Sequence, residues 1–160
     1  MPLTLQPTTA IDISFAWGAE RAEHARELVT PWSEEQHAQA ILDKDQEHLL
    51  VRLDEELVGF VLLAGLASSP HSIELRRIVV MRIGVGLGRQ VMQLVLARVF
   101  DRTHAHRVWL DVKPGNTRAR RLYSSLGFIE EGTLRDVLLV SGHRESVLLM
   151  SLLRPEWESR

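Results

Sequence analysis

Two short stretches of this chain carry residue types at spacings that could do chemistry. In RRIVVMRIGVGLGRQVMQLVL, residues 76–96, the apolar run Ile78, Val79, Val80 leads into Gly84, Gly86 and Gly88 and then into a helical pattern. Glycines between a strand and a helix let backbone approach an oxygen atom with no side chain intervening. The first amides of a helix starting near Leu87 are unpaired and lie at the positive end of its dipole, so turn and helix form an anion site. Val85 lies inside that turn, and Arg89 adds positive charge beside it. One or two glycines would serve a plain tight turn. Three on alternate positions, with no polar N-cap residue, favour a bound phosphate.

The turn alone does not say which phosphate compound. A dinucleotide fingerprint needs G-x-G-x-x-G, yet its sixth place holds Arg89 counted from Gly84, or Val91 counted from Gly86. Only Asp111 stands as a late candidate for the ribose-binding acid, and no second mononucleotide half follows. The Lys-Ser/Thr ending of a P-loop is missing.

The second stretch is NTRARRLYSSLGF, residues 116–128. Asn116, Ala119, Leu122, Tyr123, Gly127 and Phe128 form the pattern N-x-x-A-x-x-L-Y-x-x-x-G-F. Each has a plain structural use: Asn116 as N-cap, Gly127 as a left-handed helix end, and Ala119, Leu122 and Phe128 as core.

The elements that must position these stretches follow from periodicity. Leu3 and Leu5 alternate with polar residues in a strand that Pro7 ends. Ala22, Ala25, Leu28 and Val29 predict a short helix over 19–29, and Ser33 with Gln36 makes a capping box for a second. EHLLVRL and ELVGFVLLAGL read as strands joined through Asp54 and Glu55. SIELRRIVV is a third strand, with Ile73, Leu75 and Val79 expected on one face and Glu74, Ile78 and Val80 on the other. Leu87, Val91, Leu94, Val95 and Val99 mark an amphipathic helix. RVWLDV is the next strand, Asn116 to Leu126 a helix, and VLLVSGHRESVLLMSLL a strand pair about Ser141 and Gly142. This order is that of an α+β (α/β mixed) protein with a mixed sheet, in which residues 73–112 form a strand–helix–strand unit with parallel strands.

Taken together, the glycine turn and the N-x-x-A-x-x-L-Y-x-x-x-G-F pattern about 30 residues later resemble the GNAT superfamily of N-acetyltransferases. The element order matches that family over nearly the whole chain. GHRESVLLMSLL is similar to its closing strand in the branches that acetylate ribosomal proteins and small amines. The resemblance implies a GNAT-type fold: a central mixed, mostly antiparallel sheet with a parallel strand–helix–strand CoA-binding unit, flanked by about four helices. It implies acetyl-CoA as co-substrate, with its pyrophosphate on the glycine turn and its pantetheine and thioester beside the second motif. Ile78, Val79, Val80, Gly84, Val85, Gly86, Leu87, Gly88, Arg89, Asn116, Ala119 and Tyr123 would then be the cofactor-binding residues. The family's turn usually reads Gln/Arg-x-x-Gly-x-Gly/Ala. Here Ile83 takes its first position, Arg82 lies one place early, and Val85 stands where a basic residue is usual.

The implied reaction transfers an acetyl group to a primary amine, on a small molecule or a peptide. With no cysteine and no G-x-S-x-G elbow, direct attack in a ternary complex is expected. The amine must first lose a proton. Glu74 resembles the family's strand general base, Asp111 is a second candidate, and a base acting through water a third. Pairing of Glu74 with Arg76 or Arg77 is its structural alternative. The backbone N–H near Val80, where the family's strands splay, would meet the thioester oxygen. Tyr123 matches the family's tyrosine acid. A phenol near pKa 10 facing a thiolate whose acid is near 8.5 makes full proton transfer uphill by about 2 kcal/mol, so hydrogen bonding competes with donation. A GNAT-like domain that binds an acyl-CoA as a sensor without turnover is the alternative function.

Composition sets outer bounds. At 160 residues a single domain over 1–160 is expected, with ordinary hydrophobic and charged content. A net charge of −2 and a pI near 6.4 give no field favouring nucleic acid or an anionic membrane. No run reaches the ~20 apolar residues of a membrane span, and the start lacks a signal-peptide pattern, so a cytoplasmic protein is expected. A homodimer stays open. His104 and His106 lack an obvious third ligand, so no metal is expected. Arg118, Arg120 and Arg121 read as a solvated helix face, with the 3′-phosphate of CoA as the other use. Trp17 and Trp32 flank the region that shapes the family's acceptor pocket.

Overall fold

A computed structural model describes residues 2–160 apart from 23, 24, 26–28 and 83. Strands β1 (Leu3–Pro7), β2 (Gln46–Leu53), β3 (Glu56–Ala64), β4 (Ser72–Val80), β5 (Arg107–Val112), β6 (Ile129–Val140) and β7 (His143–Leu153) form one sheet in the order β1-β2-β3-β4-β5-β7-β6. Every pairing is antiparallel except that of β4 with β5, which α3 (Leu87–Arg102) joins. The strand–helix–strand unit and its parallel pairing agree with the reading of the sequence.

Helices cover both faces. On one side α3, α4 (Thr117–Ser125) and the short α5 (Arg154–Glu158) close the larger core, where Val91, Met92, Val95, Leu96 and Tyr123 pack on Val61, Leu63, Ile73 and Leu110. The stripe of α3 is wider than expected: Met92, Leu96 and Phe100 are buried, whereas Leu94 is only half-buried. On the other side lie α1 (Ile13–Glu20) and α2 (Glu34–Leu42), over a smaller cluster of Ala16, Ala19, Leu50, Phe60 and Val79. The Ser33–Gln36 capping box that opens α2 is present in both directions, at 3.1 and 2.8 Å.

Two expectations change. The first helix occupies 13–20 rather than 19–29, and Arg21 and Ala22 already lie in a turn. Leu28, part of that expected helix, lies outside the described residues. The inward positions of α1 are Ala16, Ala19 and Glu20, so apolar periodicity is nearly absent from it. Second, a bulge interrupts β4: Leu62 faces Arg77 and Leu63 faces Leu75, leaving Arg76 unmatched. The extra residue reverses the alternation beyond it. Ile73, Leu75, Ile78 and Val80 therefore share the α3 side. Glu74, Arg77 and Val79 pair with Ala64, Leu62 and Phe60 on the α1–α2 side. Glu74 is thus not on the face of Ile78 and Val80. A fifth, five-residue helix at the C-terminal end was not foreseen.

Candidate active site

The sheet opens where β4 and β5 part. Their parallel register holds for Ser72–Arg107, Ile73–Val108 and Glu74–Trp109 and then stops. Beyond it β4 runs on to Val80 and β5 to Val112, so the strands leave a wedge between them. The glycine turn stands at the wide end of β4, and α4 follows β5.

The turn has the backbone of an anion cradle. Gly84 and Gly86 take φ of +79° and +74°, a left-handed region that costs other residues energy. A Cβ at either would meet nothing within 4 Å, so both glycines border open space. Gly86 is the N-cap of the 16-residue α3 and offers no side chain to the first-turn amides, which face that space unpaired by a cap. Val85 is exposed and Leu87 buried in the core. Gly88 differs: a Cβ there would sit 3.4 Å from Leu122 Cδ2, so its bareness lets α3 approach α4. Arg89 donates to Ser125 Oγ on α4, and Arg82 pairs with Glu56. Ile83 lies outside the described residues.

The second motif builds α4. Asn116 Oδ1 accepts from the Ala119 N–H at 3.2 Å, a side-chain N-cap. Gly127, at φ +101°, ends the helix, and the Phe128 N–H returns to the Tyr123 carbonyl at 3.0 Å. Ala119 and Leu122 line the core edge, and Phe128 is buried 5.8 Å from the Tyr123 ring. Tyr123 itself is 7% exposed. Its hydroxyl has no hydrogen-bond partner among the described residues, and burial first, then the Asp111 charge, push it up to about 12. It stays a protonated donor at neutral pH.

Glu74, Asp111 and Arg77 share the opposite face. Glu74 Oε1 accepts from Arg76 Nε at 3.0 Å and Nη2 at 2.9 Å. Asp111 makes no ion pair among the described residues. Asp111 is exposed to the open wedge; partial desolvation by its surroundings, then repulsion from Glu74, raise its pKa, and Arg77 and Arg76 oppose the rise. A carboxylate held above its ordinary range and left without an ion-pair partner is a proton acceptor suited to a base.

A buried polar chain, unanticipated from the sequence, supports this face. Thr8 Oγ1 lies 2.7 Å from His48 Nδ1, His48 Nε2 3.0 Å from His37 Nδ1, and His37 Nε2 2.6 Å from Glu20 Oε1. Glu20 Oε1 also accepts from the Trp32 N–H, and its Oε2 takes Arg77 Nη1 at 2.6 Å. Glu20 and His37 are fully buried. The only cue in the sequence is His37 three residues before Ala40, a titratable side chain on the inward stripe of a helix.

Arg120 pairs with Glu130 at 2.9 Å, and Arg118 and Arg121 are exposed. His104 and His106 are exposed, and no group of three or more His, Asp or Glu is placed to hold a metal among the described residues. Trp17 lies under Arg21 and Trp32 under Arg77, at 4.1 and 4.6 Å. No helix among the described residues is long and apolar enough to cross a membrane.

Comparison with known proteins agrees with this geometry. Residues 11–128 match the model of the Acetyltransferase (GNAT) family. A putative ribosomal N-acetyltransferase of Bacillus subtilis, YdaF, is 28% identical over 90% of this chain and 77% of its own. A spermidine N(1)-acetyltransferase of Vibrio cholerae is 27% identical over 90% of this chain and 82% of its own. Among solved structures, the Vibrio cholerae spermidine N-acetyltransferase in complex with CoA and spermine shares the fold, with a TM-score of 0.85 over 98% of both chains at 24% identity. With the wedge, the glycine turn and the Tyr123 helix in place, this chain belongs to the Acetyltransferase (GNAT) family and is an acetyl-CoA-dependent N-acetyltransferase.

Proposed function

We propose that the chain passes the acetyl group of acetyl-CoA directly to a primary amine within the β4–β5 wedge. The observation that carries the reading is the end of pairing after Glu74 and Trp109, which opens a gap with Asp111 on one side and Tyr123 on the other. CoA supplies a thioester, an activated acyl group on a good leaving group. The backbone of Gly84, Val85, Gly86, Leu87 and Gly88 holds its pyrophosphate, with Arg89 alongside. Ile78, Val79 and Val80 line the pantetheine on the strand side, and Asn116, Ala119 and Tyr123 on the helix side.

Of the carboxylates, Asp111 is the base, because Glu74 is already engaged by Arg76 through two hydrogen bonds. Glu74 contributes charge that keeps Asp111 basic. The backbone at Val80, at the mouth of the wedge, meets the negative charge that develops on the thioester oxygen. Tyr123 hydrogen-bonds the departing thiolate. From about 12 to the 8.5 of a thiol, complete transfer of its proton is uphill by on the order of 5 kcal/mol, so donation of a hydrogen bond outweighs loss of the proton. No covalent acyl-enzyme is involved, consistent with a chain that contains no cysteine.

Residues 1–160 act as one catalytic domain. The acceptor is a primary amine of a small molecule or a peptide; the relatives' names give spermidine for one and a ribosomal acceptor for another. The cytoplasm, where ribosomal and polyamine acceptors reside, is the place of action. A homodimer is the proposed assembly, for the edge strand β6 exposes Ile129, Val137 and Leu139. The test is calorimetric CoA titration followed by thiol-release assays over peptide, amino-acid and polyamine acceptors. Binding of CoA with amine-dependent thiol release is expected. Binding without release for any amine would favour the sensor reading.

A further inference from the structure

The Glu20–Arg77 pair is the part of this face that the transfer reaction leaves unexplained. Arg77 follows the β4 bulge, which turns its side chain toward α1 and α2 on the same face as Glu74 and Asp111. It lies near enough to Asp111 for each charge to influence the other, yet it forms its ion pair elsewhere. Glu20, at the C-terminal end of α1, takes Arg77 Nη1 at 2.6 Å, and the guanidinium lies 4.6 Å over the Trp32 ring. Arg77 Nε has no partner among the described residues, so one carboxylate and one ring hold this cation in place. Glu20 is itself locked from behind by His37 Nε2 and the Trp32 N–H.

We infer that Glu20 is a positioning residue for acetyl transfer: it anchors Arg77 against Trp32 and so keeps that cation from pairing with the Asp111 carboxylate. This rests on the reading of Asp111 as the base. An arginine free to turn would find in Asp111 a partner of ideal planar chemistry. A paired Asp111 would be both occupied and less basic. The groups facing Asp111 are Glu74 and Arg76 from β4, besides Arg77 itself, and Tyr123 from α4; Arg76 is already bound to Glu74. The groups facing Glu20 are His37 from α2 and Arg77 from β4, with His48 from β2 one hydrogen bond farther. The long polar chain from Thr8 thus ends in a restraint on one charge beside the reacting amine.

The test is the pH dependence of kcat/KM, whose acid limb reports the base of the free enzyme. In Glu20→Gln the limb is expected to move down by about one pH unit as Arg77 turns to Asp111, with the plateau falling about tenfold. In the double variant Glu20→Gln/Arg77→Met the downward shift should vanish, because the released cation is gone. Glu20→Asp keeps the charge but is one methylene short of bridging His37 and Arg77, so it should shift the limb the same way by less. An unmoved limb in whichever Glu20 variant folds, while Asp111→Asn abolishes the limb, overturns the inference alone. A limb that survives Asp111→Asn overturns the reading of the base, and this inference with it. A purely structural Glu20 would change the melting temperature and leave the limb in place.

Discussion

The Tyr123 hydroxyl lies in the field of the Asp111 carboxylate, across the wedge that β4 and β5 leave open. One group comes from α4, beside the α3 core, the other from β5 on the face covered by α1 and α2. Burial and that negative charge hold the phenol at about 12. The proposed base and donor are thereby kept in opposite protonation states at one pH, as an amine attack with thiolate departure requires.

Tyr123→Phe is therefore expected to lower kcat by about 100-fold and to change KM for acetyl-CoA much less. Phenylalanine preserves the contact with Phe128 and the buried ring. Steady-state kinetics with the acceptor saturating checks this, and an unchanged kcat removes Tyr123 from the reaction.

Asp111 and Glu74 should separate by pH profile. Asp111→Asn removes the proposed base and is expected to cost 100-fold or more, taking the acid limb of kcat/KM with it, at about the size usual for a lost general base. Glu74→Gln removes a charge that raises the Asp111 pKa, so its limb should move to lower pH while a limb remains. A Glu74 variant that loses the limb would exchange the two assignments.

How much of this could be read from residues alone depends on the kind of signal. The turn and α4 were legible because each functional residue also has a local structural role that fixes its type. Gly86 caps a helix at positive φ, Asn116 caps another, and Gly127 ends it. The face of Glu74 was misplaced because a bulge at Arg76 leaves no trace in a period-two pattern. Helix α1 was displaced for a related reason. Its inward side is two alanines and a glutamate, while nearby Ile11 is 89% exposed, so hydrophobicity there points away from the core. The Thr8–His48–His37–Glu20–Arg77 chain joins four separate elements and a loop, and no spacing along the sequence encodes it.

The glycines of the turn should respond differently to a methyl group. Gly86→Ala meets no protein atom but must hold φ near +74°, so a stability loss of about 1 kcal/mol is expected. Its Cβ would stand in the open space of the cradle, so KM for acetyl-CoA should rise several-fold as well. Gly88→Ala has ordinary φ and a Cβ 3.4 Å from a movable Leu122 methyl, so it should fold with little penalty. Thermal melts with and without CoA distinguish them. Equal loss of CoA stabilisation in both variants would mean that the cradle is not at Gly86.

The buried His48 makes stability depend on pH in a set direction. Burial first, and then the neighbouring His37, lower the His48 pKa from 6.5 to about 4, with Glu20 opposing. Its surroundings can be satisfied without charge: Thr8 donates to Nδ1, and the Nε2–H of His48 donates to His37 Nδ1. Folding therefore withholds a proton that the unfolded chain binds below pH 6.5. The contribution is fully present above that value. It is lost as pH falls toward 4, by a total on the order of 3 kcal/mol. Melting temperature should accordingly drop between pH 7 and pH 5 before most carboxylates titrate. His48→Gln, which can still bond Thr8 or His37 but does not titrate, should be less stable at pH 7 and flatten that slope. A slope as steep in the variant as in the native chain would place the acid sensitivity elsewhere in the fold.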